Sequence, residues 1–135
     1  MKVIRRKDKR LELLEDLVIK TDRISNLIKF KNDWLEIADG VITIKKKFHW
    51  NGCTWARDGK RDEHGIPESW IASCVHDALC TVYIPEITIN VKNLIFYDEL
   101  VKIKFKWLGI PACTLYYLGV SVGVPLKVLF IGYSS

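Results

Sequence analysis

No CxxC pair and no cysteine–histidine spacing of the zinc-binding kind occurs in this chain of 135 residues, which excludes zinc-finger and thioredoxin-like readings. Phosphate-binding loop, GxSxG elbow and HExxH helix are absent too, which removes most nucleotide-binding and common protease classes. There is no internal repeat and no heptad pattern. Lysines are dispersed rather than gathered in a block, and the net charge of +5 is modest, so a nucleic-acid partner is disfavoured against a solvated basic surface. MKVIRRKDKR is followed by LELLEDLVIK, whose acids interrupt any apolar core, so no signal peptide is expected. The four cysteines, Cys53, Cys74, Cys80 and Cys113, fit reduced core thiols in a reducing compartment. Cys74 and Cys80 point to different faces of one predicted helix and do not bridge while it stays helical.

What the chain does have is enough apolar and aromatic content for one domain with a real core. Its organising stretch is Pro67–Val82. Trp70, Ile71, Cys74, Val75, Ala78, Leu79 and Val82 recur at the helical period and predict an amphipathic helix. Pro67 suits the first turn, and Glu68 favours the positive end of the dipole. The opposite face carries Ser69, Ser73, His76, Asp77 and Cys80 instead of Lys or Glu. That face is expected to be covered or to line a cleft. As a bland outcome, His76 is a satisfied core histidine.

Residues 1–10 read as a basic lead-in or edge element and 11–56 as mainly β. Glu12–Lys20 suits a helix or a strand, and Leu27–Lys31 alternates as a strand. The clearest hairpin joins Trp34–Ala38 to Val41–Lys45 through Asp39-Gly40, which supplies the positive φ of a two-residue turn. Leu35, Ile37, Ile42 and Ile44 form its inward face. Asn51-Gly52 marks a second turn, and 57–65 a polar loop containing His64. Residues 67–130 read as mainly helical. Val101–Trp107 alternates like a strand, yet Leu94, Asp98, Val101, Phe105 and Leu108 line one face at helical spacing. On the helical reading, Asp98 lies in an apolar stripe and needs a partner; His76 is the expected one. Leu108–Leu126 has no charged side chain and approaches the roughly 20 residues that span a bilayer. Its glycines, prolines and paired tyrosines favour docking within the domain or on a protein partner, with weak membrane contact as a second expectation.

WNGCTW, Pro67, the VHDAL core and an inward Asp98, followed by Tyr116, Tyr117, Val120 and Gly123, resemble a family of short proteins from tailed phages and prophages, catalogued as a domain of unknown function. That family joins a β-hairpin with an aromatic-Asp-Gly-Ala-Ser turn to a His-Asp helix, a second helix with an inward Asp, and a last helix. The resemblance covers about residues 34–124. Asn51, Cys53 and Thr54 stand where the family favours Asp, Ala and Ser. Asn51 therefore brings no negative charge for a cation. A helix bearing His-Asp with a second Asp from a neighbour is also similar in roles to secreted phospholipases A2.

The expected fold is α+β: an N-terminal antiparallel hairpin sheet packed on two to three C-terminal helices, in a single domain over 1–135. The expected function is that of a phage structural or accessory protein, in the host cytoplasm or the virion. It would bind a protein partner or itself through 108–131. The alternative is a small hydrolase acting on lipid or cell envelope. There His76 is general base, Asp98 orients it, and Asp77 holds water or a divalent cation. Trp50, Asn51, Gly52 and Thr54 would form the turn beside the substrate. A full ligand set for a cation is absent.

Overall fold

The computed structural model describes residues 2–51, 63, 65–66, 68–103, 106–107 and 110–111. The N-terminal half is antiparallel β structure in two sheets. Strands β1 (Val3–Arg5), β2 (Leu11–Leu13) and β7 (His49–Trp50) form one, in the order β1-β2-β7. Strands β3 (Leu17–Lys20), β4 (Phe30–Lys31), β5 (Leu35–Ala38) and β6 (Val41–Ile44) form the other, in the order β3-β6-β5-β4. Helices α1 (Trp70–Cys80) and α2 (Ile89–Lys102) follow and pack on each other. A short β8 (Lys106–Trp107) pairs with β9 (Ile110–Pro111). The architecture is α+β.

The β5–β6 hairpin forms as its alternation requires. Ile37 faces Ile42 and Leu35 faces Ile44 in register, and all four side chains are buried. Asp39 (φ 54°) and Gly40 (φ 74°) make the left-handed pair of the turn. Strand pairing wins over helix at 11–20, because Leu11 and Leu13 bury alternately in β2 while Ile19 continues the inward row of β3. The lead-in is an edge strand, β1, and then a basic turn closed by Arg6 and Arg10. Of Leu27–Lys31 only Phe30–Lys31 pairs; Leu27 is 90% exposed, and its backbone N–H is taken by Ser25 Oγ at 3.2 Å.

Helix α1 is buried on nearly every side from Ala72 to Leu79, so its polar face is covered as its composition demands. Helix α2 starts at Thr88, whose hydroxyl accepts the Val91 N–H at 3.2 Å. It ends at Lys102, before the alternating residues turn into β8. The expected stripe through Leu94, Asp98 and Val101 is therefore corrected. Phe105 and Leu108 lie outside the described residues, and α2 instead buries Ile95, Phe96 and Leu100 with Lys92, Asn93 and Glu99. Val101 is 46% exposed. One core runs through both sheets and both helices, from Val3, Leu11, Ile42 and Trp50 to Val75, Leu79 and Ile95.

Candidate functional site

His76 and Asp77 are neighbours on α1 and point about 100° apart around its axis. They do not serve one another. His76 turns to α2: its Nε2 lies 2.8 Å from Asn93 Oδ1, and its ring meets Phe96 edge-on at 5.4 Å. The imidazole is 1% exposed. Since Asn Oδ1 only accepts, Nε2 carries the proton of this bond. Cys80 Sγ is nearly equidistant from Nδ1 (3.6 Å) and Nε2 (4.0 Å). A sulfur in line with one nitrogen would be far from the other, so Cys80 sits over the ring rather than in a proton-transfer line.

Asp98, the expected orienting acid, is elsewhere. Both of its oxygens accept from Arg23, at 2.9 and 2.8 Å. It is five residues from Asn93, about 140° around α2. It lines a separate cleft of about 410 Å³ with Lys20, Glu99 and Lys102. The α2 side chain that meets His76 is Asn93.

Asp77 faces the other way, toward the end of β7. Its carboxylate accepts the backbone N–H of Asn51, and Arg10 adds favourable charge, yet burial dominates and pushes its pKa from 3.8 up to about 7. It is 5% exposed, and Oδ1 has no hydrogen-bond partner among the described residues. Burial, and next the Asp77 charge, also raise the Cys74 thiol well above 9.0. No disulfide joins Cys74 or Cys80 among the described residues.

Trp50 is a structural member of this region. It is 3% exposed, donates from Nε1 to Ser73 Oγ at 2.9 Å, and stacks on Phe48. Asn51 contributes backbone rather than side chain to Asp77. Gly52, Thr54, Cys53, His64, Pro67, Cys113 and nearly all of 108–131 lie outside the described residues. No helix among the described residues is long and apolar enough to cross a membrane. No group of three or more His, Cys, Asp or Glu gathers among them as a metal site.

Arg5, Arg10, Arg23 and Asn93 were missed by sequence reasoning. Arg5 clamps the Gly65 carbonyl from Nη2 at 2.6 Å and from Nε at 3.0 Å, tying the approach to α1 onto β1. Only Asn93 had a signal, as an amide at helical spacing on the face that carries Phe96. Comparison with family models, with curated proteins and with solved structures finds no match for this chain.

Proposed function

We propose that the protein is a phage structural or accessory component whose His-Asp helix is a scaffold, and that it acts by binding protein. One observation carries this reading. His76 is enclosed, with Nε2 on Asn93 and its ring on Phe96, and a general base must reach the proton it abstracts. The resemblance to tailed-phage and prophage proteins supports the setting. Asp98, the acid that carries the resemblance on the second helix, is taken by Arg23, and Asn93 ties the helices without bringing a charge. The apolar segment 108–131 is the proposed contact with a partner or a second copy. The test is mass spectrometry of purified particles from cells that make the protein, with the chain's sedimentation in solution. Stoichiometric presence in particles, or a defined oligomer, supports the reading. A monomer absent from particles and from every phage-encoded complex overturns it.

A hydrolytic reading retains one feature, the Asp77 carboxyl that burial raises to a pKa of about 7, but at 5% exposure it is enclosed as His76 is. It predicts turnover of lipid or peptidoglycan that Asp77→Asn abolishes. The scaffold reading predicts no turnover by either form.

A further inference from the structure

The turn at Lys45–Phe48 and the strand entry at Trp34 build a cleft that nothing above uses. It has a volume of about 350 Å³ and is lined by Asp33, Trp34, Lys46, Lys47, Phe48 and His49. Three features fix its shape. Asn32 Oδ1 accepts the N–H groups of Trp34 and Leu35 at 2.9 and 2.8 Å, and the Trp34 carbonyl takes the Lys45 N–H at 2.9 Å. The Trp34 indole N–H donates to Thr81 Oγ1 at 2.9 Å, which holds a ring that is still 36% exposed. Asp16 Oδ1 accepts the Lys46 N–H at 2.8 Å, and the turn closes through Phe48 N–H to the Lys45 carbonyl.

Lys47 sits in that turn at φ 78°, where Gly or Asn is the unstrained choice. Lys45 has acidic neighbours in Asp16 and Glu36. The ammonium groups of Lys46 and Lys47 have no ion-pair partner among the described residues. Both are exposed, as is His49.

The geometry points to a binding site for single-stranded nucleic acid in this cleft. A base stacks on Trp34, with Phe48 beside it, and the adjoining phosphates meet Lys46 and Lys47. A held, exposed aromatic ring next to unpaired ammonium groups is the combination that binds single strands without reading sequence. The net charge of +5 adds attraction at long range. Asp33 on the rim repels phosphate and confines the backbone to the lysine side.

The test is fluorescence anisotropy of the full chain with a labelled single-stranded oligonucleotide of about 12 nucleotides, titrated from about 50 to about 200 mM salt. The expected result is binding that K46E/K47E weakens about tenfold or more at the low-salt end, with the logarithmic salt slope reduced by about 1.4 for two lost phosphate contacts. W34L weakens binding several-fold at an unchanged slope, and W34F restores part of it. K47G separates binding from folding: it melts no lower than the parent, because glycine accepts the turn, yet binds more weakly. Unchanged binding by K46E/K47E, or no binding at about 50 mM salt, overturns the assignment. So does equal affinity for a sulfated glycan together with indifference to W34L, which would leave general attraction to polyanions.

Discussion

Asp77 is the side chain whose environment is least comfortable. The folded protein holds its proton more tightly than the unfolded chain does, since the pKa rises from 3.8 to about 7 on burial. Stability from this group is therefore present in full below about pH 4 and lost as pH climbs toward 7. At roughly 1.4 kcal/mol per pH unit, the loss is about 4 kcal/mol. Asp77→Asn keeps an acceptor for the Asn51 N–H and removes the charge. Urea unfolding at pH 5 and pH 8 is expected to show the variant gaining on the parent as pH rises; a constant difference contradicts the burial argument. Asn93 presents the opposite case, a satisfied polar group. Asn93→Ala strands the His76 N–H in the interior and is expected to cost about 1–3 kcal/mol. Asp98→Asn only weakens a partly exposed ion pair with Arg23 and is expected to cost about 1 kcal/mol or less. Chemical denaturation of the two variants ranks them directly.

Among the elements, the β5–β6 turn and the start of α2 respond to single changes. Gly40→Ala places a Cβ 3.0 Å from the Thr21 carbonyl and 3.0 Å from Asn26 Oδ1, at φ +74°; a loss of about 1–2 kcal/mol is expected from the backbone conformation alone. Thr88→Ala removes the hydroxyl cap of α2 and is expected to cost about 1 kcal/mol. Thermal melts check both. These elements also mark how far local pattern reaches. The hairpin was legible because Asp39-Gly40 and four alternating aliphatics agree on one register. The stripe of α1 was legible because its apolar residues lie along one line. The rotation of α2 was not, since Ile89, Leu94, Ile95, Phe96, Leu100 and Val101 surround the axis and allow more than one buried face. Tertiary packing buried Ile95, Phe96 and Leu100, and it carried Asn93 inward and Asp98 outward. The Arg23–Asp98 pair joins positions 75 residues apart, a distance that no local period encodes.

At the level of the whole molecule, two sheets and two helices share one core, and the His-Asp pair of α1 is spent on holding it together. His76 ties α1 to α2, while Asp77 ties α1 to the end of β7. On this account the expected His76–Asp98 couple does not exist, and the candidate site divides into a helix tie, a strand tie and a surface ion pair. The most direct test is a pair of double-mutant cycles read by urea unfolding, one on His76 and Asn93, the other on His76 and Asp98. The account predicts a coupling of about 0.5–3 kcal/mol for the first pair and a value near zero for the second. Strong coupling between His76 and Asp98, with none to Asn93, would contradict it.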